Sequence, residues 1–517
     1  MKKIAILIVI LLVLLPLFKT GLFDVHDPTS VIRFYALHES LKFGQFPAAW
    51  TNLLNQGFGY PLFLYYAPVF SYLGVILKLF VPTYILSLKL SLGVMVILAA
   101  LGMYKLMSKY AGELGALVAT IAYTLLPYHA ATLYVRGSYS EGMVWALLPW
   151  LLYLWSKDVR DKYWIVLTSV VTALFFLSHN SLPFVFIPFL IIWILLHPGK
   201  SWRPIILAAT FSMGLSMWFL LPVFFERNLV QIDRIAEATV YSDHFLSPGQ
   251  LWHSAWGYGG SARIGEVDGM SFMLGKFQLM ITALSLVVIA LVKKWNRQIL
   301  YFLGVIIFYT LMTTSYSAGI WSLVPNLSIL QFPWRLIAFA SFGISCLTAY
   351  FVHFLPRKLQ LLTSLVLMFG LIFFNLKFFA PQTQIGYLDQ DLLSQEKLAT
   401  VAKDKIPEYL PASMPSFPTT ISADGLVHSP VSVSGSLINQ EAIPLTLSTA
   451  YMPQWQLTIN GTKVGIVPNE AGLITTVIPV QAGQNNLSLT WHRTQVENLG
   501  LGLSALTILL MIGLLVI

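Results

Sequence analysis

Hydrophobic residues fall along this chain in blocks about as long as a lipid bilayer is thick, separated by short polar stretches. A spanning helix needs about 20 mostly apolar residues. Suitable runs lie near 4–20, 85–104, 113–130, 142–156, 163–178, 182–197, 204–224, 277–292, 299–315, 336–354, 361–379 and 499–517. They predict about 12 spans. A further run, Tyr60 to Val81, is apolar enough to span, but charge parity argues against it. With Lys2-Lys3 inside, the first run ends outside. Lys105 and Lys109 belong inside, so the run at 85–104 must enter from outside. Residues 60–81 are therefore expected to lie on, or dip into, the outer surface. Both termini then face the cytoplasm.

The pattern changes after residue 379. Residues 380–498 carry Pro clusters between Pro407 and Pro418, then alternating segments such as Trp455-Gln-Leu-Thr-Ile-Asn460. Asn460-Gly461 is a strong hairpin signal. Ala482-Gly483-Gln-Asn-Asn486 reads as another turn, before Leu487-Ser-Leu-Thr-Trp491. The expected fold is an α-helical polytopic membrane protein with a small extracytoplasmic β-sandwich before its last helix. Residues 1–379 form the transmembrane domain, with outer loops at 21–84 and 226–276. Residues 380–498 form the β-rich domain and 499–517 the final helix.

Composition agrees with a membrane chain. Of 517 residues, 57% are hydrophobic and 10% charged, where a soluble domain has about 25%. Mean hydropathy is +0.73. The run from Ile4 to Phe18 follows two lysines like a signal sequence, but Phe18-Lys19-Thr20-Gly21 offers no small-x-small cleavage site, so an uncleaved first helix is expected. A net charge of +9 does not indicate nucleic acid. The basic residues sit mostly in short loops between apolar runs, which is the pattern that sets orientation. Cys346, the single cysteine, lies in an apolar run, so no intramolecular disulfide is possible. Walker, dinucleotide-binding, HExxH and cysteine-metal spacings are absent. No nucleotide cofactor is expected, and a donor on the outer side would have to be lipid-linked.

Ionisable groups are costly in a bilayer, so their positions carry information. On this topology Asp24, His26, Asp27, Arg33, Arg136, Glu141, His179, Lys276 and Arg335 share one depth, the outer membrane edge. Asp24 and Asp27 are candidate general bases for an acceptor hydroxyl. Asp27-Pro28 fits equally a helix N-cap followed by Pro. Asp27 is preferred because it opens the next predicted helix, with Asp24 second. His26 would orient Asp27 or bind substrate, or is a plain loop residue. Arg33, about two turns into that helix, suits a phosphate or lipid headgroups. Arg136 and Glu141 flank a short loop and fit either a ligand site or a structural ion pair. His179-Asn180 fits a substrate role or a turn cap. Gln331-Phe-Pro-Trp-Arg335 enters a helix, and Arg335 offers a forked donor to phosphate or snorkels to headgroups. Lys276 supplies a further cation. Metal dependence stays open. The long loop 226–276 reads as a lid over this region.

These motifs also carry a resemblance. His26-Asp27, Arg33, Gly44-x-x-Pro47, Trp50 and Gly57-x-Gly-Tyr-Pro61-Leu-Phe resemble bacterial membrane proteins described as "6-pyruvoyl-tetrahydropterin synthase-related". So do Arg136-Gly137 with Glu141, and Gln331-Phe-Pro-Trp-Arg335. The tail, with Trp455, Asn460-Gly461, Thr494 and Gly500, is similar to that of YfhO-type membrane proteins. No zinc-binding His cluster supports pterin chemistry. Both groups resemble the GT-C superfamily. That resemblance implies a first outer loop with two surface helices and a catalytic acidic residue, here Asp24 or Asp27. It also implies a polyprenyl-phosphate sugar donor, a glycan, lipid or protein acceptor, and residence in the cytoplasmic membrane. The rival readings are a lipid or polysaccharide flippase and a non-catalytic envelope assembly protein.

Overall fold

The apolar runs fold as helices, but fewer of them than expected are long. The computed structural model describes residues 2–158, 160–199, 201–238, 240–263, 266–324, 327–383 and 386–516. Helix α1 covers Lys2–Leu14, α2 Ser30–Lys42, α3 Leu62–Tyr65, α4 Val69–Lys78 and α5 Tyr84–Thr124. Among the described residues, 5 helical stretches are long and apolar enough to cross a membrane: Tyr84–Arg136, Arg203–Phe225, Pro333–His353, Arg357–Phe378 and Gln495–Val516. The expected dozen is not confirmed by these lengths. Runs such as 163–178, 182–197 and 277–292 form helices shorter than a bilayer requires. The runs at 85–104 and 113–130 lie in two helices that meet at Gly112, whose backbone is not helical (φ 68°, ψ 176°), a conformation open to glycine. Residues 60–81 form the short helices α3 and α4, and neither is long enough to span.

The helix Ile337–His353 is the core of the bundle, with nearly every residue buried. Small residues let its neighbours approach, as in other membrane bundles. A Cβ on Gly115 of α5 would lie 2.7 Å from the Ala349 carbonyl oxygen, and one on Gly343 would lie 3.0 Å from that of Phe302. Its buried hydroxyls bond back to the helix itself, Ser345 to the Ser341 carbonyl at 2.9 Å and Thr348 to that of Ser345 at 2.7 Å. The last helix, Gln495–Val516, packs on Arg203–Phe225 in the same manner. Ser504 donates to the Gly214 carbonyl at 2.8 Å, and Gly500 faces the Met217 carbonyl too closely for any side chain.

The β region before the last helix has two antiparallel sheets. Strands β1 (Val427–His428), β2 (Ser432–Asn439), β4 (Trp455–Ile459), β5 (Thr462–Val464) and β8 (Gly483–Trp491) form a sheet in the order β1-β2-β8-β4-β5. Strands β3 (Thr446–Ala450), β6 (Ile466–Pro468) and β7 (Leu473–Thr476) form the other, in the order β3-β7-β6. Asn460 and Gly461 join β4 to β5, both with positive φ, as a primed hairpin turn requires. The turn expected at Ala482–Asn486 is not found there. Residues 483–486 already pair with 436–439 as the start of β8, and their polar character reflects a solvated strand. The strands begin only at Val427. Residues 389–409 form short helical segments that pack back on the bundle.

The segment between α2 and α3 ties the bundle to the sheets. Trp50 meets Trp455 and Trp491 at ring distances of 5.5 and 5.2 Å. Gln45 accepts from the Ala49 and Trp50 amides and donates to the Pro430 carbonyl at 3.0 Å.

Candidate active site

Asp27 and Arg136 meet because two chain segments run side by side at this end of the bundle. After α1 the chain extends, and the amides of His26 and Asp27 donate to the carbonyls of Val135 and Arg136 at 2.9 and 3.0 Å. Residues 132–136 form a π-helical turn, a feature frequent at functional sites. Gly137 closes it at φ 71°, where a Cβ would lie 2.7 Å from the Asp27 carbonyl oxygen.

Asp27 is not the N-cap of α2. That position is Thr29, and Asp27 folds over it. Its Oδ1 accepts from the Thr29 amide at 3.3 Å and from the Thr29 hydroxyl. Its Oδ2 accepts from Arg33 Nη2 at 3.2 Å. Arg33 therefore lies one turn into α2 rather than two. It donates through Nη1 to the Tyr66 hydroxyl at 2.6 Å and lies 4.0 Å over the Tyr66 ring. Tyr66 in turn shares a hydrogen bond with Ser140 at 2.9 Å. Burial works against the Arg33 charge, but Asp27 and Tyr66 hold its pKa above the ordinary value. The buried arginine thus fixes a carboxylate whose side chain remains 31% exposed.

Asp24 is exposed, and its carboxylate accepts from the amide of the next residue, Val25, at 3.0 Å. His26 does not orient Asp27. Its Nε2 bonds the Tyr258 carbonyl at 2.7 Å, and its own carbonyl accepts from Lys405 at 2.9 Å. It therefore stitches the 226–276 loop and the later helical segment to the first loop.

Next to this pair lies a buried cluster with more positive than negative charge. Arg136 grips Glu141 through two parallel bonds, Nη1 to Oε1 at 2.9 Å and Nη2 to Oε2 at 2.7 Å. Arg335 Nε lies 4.0 Å from the same carboxylate and has no hydrogen-bond acceptor. Tyr128 donates to Glu141 and accepts from Arg136 at 3.1 Å. The Arg136 guanidinium lies 4.5 Å over the Trp334 ring. Two guanidinium groups thus share one carboxylate, leaving a surplus cation facing the site. The sequence allowed an ion pair or an anion site here, and the arrangement provides both.

His179 lies beside this cluster. Its Nδ1 accepts from the Ser181 and Leu182 amides at 3.2 and 3.3 Å, so the turn cap is realised and the ring proton sits on Nε2. Burial and the nearby Arg335 push its pKa down to about 3, so the ring stays neutral. Gln331 adopts positive φ (61°) at the entry to Pro333–Leu336. Lys276 stands apart, at the start of Lys276–Val292 with its Nζ 5.9 Å from the Trp252 ring centre.

Glu408 and Tyr409 join this site without any sequence signal. They sit in a short turn, Pro407–Tyr409, within the Pro-rich stretch read as a separate domain. Asn180 donates to the Tyr409 hydroxyl at 3.4 Å, and the Tyr409 ring lies 6.1 Å from that of Tyr66. Burial raises the Glu408 pKa, opposed by Arg33 and Arg335 and reinforced by Asp27. Among the described residues, no three His, Cys, Asp or Glu side chains are grouped to hold a metal.

Two cavities flank the site. One, of 670 Å³, is apolar, lined by Trp252, Trp256, Phe277, Phe374 and Phe378, with Lys276 and Lys377 at its edge. Tyr258, two residues beyond Trp256, is the His26 partner. The other, of 510 Å³, is polar and reaches Trp334 through Asp243, His244, His253, Arg263 and Asp268 of the 226–276 loop.

No family model matches the chain, and no curated protein matches it. Among solved structures, the arabinofuranosyltransferase AftD from mycobacteria is similar with a TM-score of 0.50 at 13% identity, over 75% of this chain and 27% of that one. A mutant form of AftD gives a TM-score of 0.46 at 13% identity, over 75% of this chain and 28% of that one. The chain spans about a quarter of the length of the protein it matches. The likeness is one of fold.

Proposed function

We propose that this protein is a membrane glycosyltransferase. It moves a sugar from a polyprenyl-phosphate-linked donor to an acceptor hydroxyl on the outer face of the cytoplasmic membrane. The observation that carries this reading is the pairing of a part-exposed, arginine-fixed carboxylate, Asp27, with an adjacent cluster holding one unbalanced guanidinium. Such a pair supplies a base and an anion site, the two groups a displacement at an anomeric carbon needs. The likeness in fold to AftD supports the same class.

Asp27 takes the proton of the acceptor hydroxyl as its oxygen attacks the anomeric carbon. The bond to the lipid phosphate oxygen breaks on the opposite face, so one displacement inverts the configuration. Charge builds on the departing phosphate, and Arg335 with Arg136 stabilises it from fixed positions. Glu408, whose pKa burial raises, is placed to hydrogen-bond a sugar hydroxyl. The apolar cavity beside Lys276 and Lys377 suits the lipid chain of the donor. The loop 226–276 acts as a lid, and both termini are cytoplasmic.

The test is donor turnover. The full chain in nanodiscs is given a panel of polyprenyl-phosphate sugars with mixed glycan, lipid and peptide acceptors. Acceptor-dependent release of polyprenyl phosphate is the expected result. Donor binding without release, in every combination, contradicts the enzyme and favours a flippase or an assembly protein.

A further inference from the structure

Trp334 belongs to two places at once. Arg136 lies 4.5 Å over its ring, and the same residue lines the polar cavity of 510 Å³. Phe332 stacks on Trp334 at 5.2 Å and lies 5.1 Å from the Arg335 guanidinium. It also meets the His244 ring, in the cavity wall, at 4.8 Å. One aromatic pair thus joins the guanidinium cluster to the cavity of the 226–276 loop.

Local bonds fix the wall of that cavity. Ser247 and Gln250 cap Pro248–Trp252 reciprocally, and Gln250 also donates to Asp268. Asp268 accepts from the Ala262 amide at 3.1 Å. The Leu246 amide donates to the Thr313 carbonyl at 2.8 Å, and the Leu274 amide to that of Leu251 at 3.0 Å.

The cavity is opposite in charge to the cluster beside it. Among the described residues, the carboxylates of Asp243, Glu266 and Asp268 line it with one guanidinium, that of Arg263, 3.7 Å from Asp243. Like charges repel, so a donor phosphate belongs with Arg136 and Arg335 instead. The volume lies within the range of about 300–1,000 Å³ in which small ligands are held. The side chains of Asp243 and His253 make no hydrogen bond among the described residues. Trp334 is 4% exposed, and its Nε1 has no acceptor. Its ring already meets Arg136, Phe332 and Phe272, and what it has left to offer is the N–H. Unused acceptors and donors thus share one polar space. A sugar hydroxyl both donates and accepts, and a ring carries several of them close together. A lipid chain fits the apolar cavity instead, and residues 253–255 line both, so the two ligands would meet along one strip of chain.

We propose that the polar cavity is a carbohydrate subsite, and that it holds an uncharged saccharide acceptor through Asp243, His253, Asp268 and the Trp334 N–H. The role as acceptor rests on the glycosyl-transfer reading; saccharide binding does not.

The full chain in nanodiscs, without donor, is given a panel of neutral pentose and hexose oligosaccharides, and binding is followed by saturation-transfer NMR. The expected result is saturable binding of at least one member. Asp243→Ala with His253→Ala weakens it about tenfold. Trp334→Phe, which keeps a ring and removes the N–H, weakens it severalfold, and Lys463→Ala, exposed on β5, leaves it unchanged. In the transfer assay the double variant raises KM for the bound saccharide more than it lowers kcat. Binding that the double variant leaves unchanged overturns the site. No saturable binding across the panel overturns the ligand class, and turnover with peptide or lipid acceptors in the same chain leaves the transfer reading standing. Binding that responds to these variants, in a chain that turns over no donor, upholds the carbohydrate subsite and removes the transfer reading instead.

Discussion

Glu141 faces Arg136 and Arg335 with its own side chain fully buried, and its removal leaves two guanidinium groups without a counter-charge. Breaking a buried pair by deleting one partner costs about 3–5 kcal/mol. Glu141→Gln is expected to lose stability on that scale in denaturant unfolding, while a charge-removing change at exposed Asp24 costs little. Glu408 predicts a pH effect of definite sign. Burial raises its folded pKa, so the folded chain holds a proton that the unfolded chain releases. Stability therefore falls as pH rises from the ordinary carboxylate value through the folded one, and levels off above it. Glu408→Gln removes this slope, so the variant gains in Tm over the unmodified chain as pH rises through that window. These two carboxyl groups also differ in how far the sequence reveals them. Glu141 stands out because it borders apolar runs, where charge is rare. Glu408 sits in a polar, Pro-rich stretch where a glutamate is ordinary, and only tertiary folding brings it to Arg33.

Short connecting elements place these side chains. The pairing of residues 26–27 with 135–136 depends on Gly137, which needs both a positive φ and the absence of a Cβ. Gly137→Ala is expected to strain the turn and push the Asp27 backbone away, at about 1–3 kcal/mol, read as a lower Tm together with lower turnover. Local sequence rules erred where two structures share one pattern. Asp27-Pro28 has the form of an N-cap, yet Thr29 takes that position and Asp27 caps the turn before it. Gly483-Gln-Asn-Asn has the form of a turn, yet β8 uses it as a solvated strand. The Asn460-Gly461 hairpin was legible because both residues there must adopt positive φ, which few other pairs tolerate. At Gly112 a positive φ ends one helix and lets the next begin in another direction.

Across the whole molecule, the membrane bundle and the β region act as one unit through Trp50, whose ring packs against those of Trp455 and Trp491, themselves in contact at 5.0 Å. Trp50→Ala is expected to cost about 3–5 kcal/mol, as for other buried tryptophans. Turnover should fall too, although Trp50 touches none of the charged groups, because the β region and the 405–409 segment are continuous in the chain. The helical body, the β region and the prominence of Arg136, Glu141, His179 and Arg335 were readable from hydropathy, since charge stands out beside apolar runs. The contribution of residues 405–409 was not, since no periodicity records which surface a polar segment folds against. The central claim is that Asp27 is the base. It is tested most directly by single-turnover sugar transfer in nanodiscs, with donor binding measured on the same samples. Asp27→Asn should bind donor and fold normally yet transfer no sugar, while Asp24→Asn transfers at the unmodified rate. Transfer by Asp27→Asn at the unmodified rate would contradict the assignment.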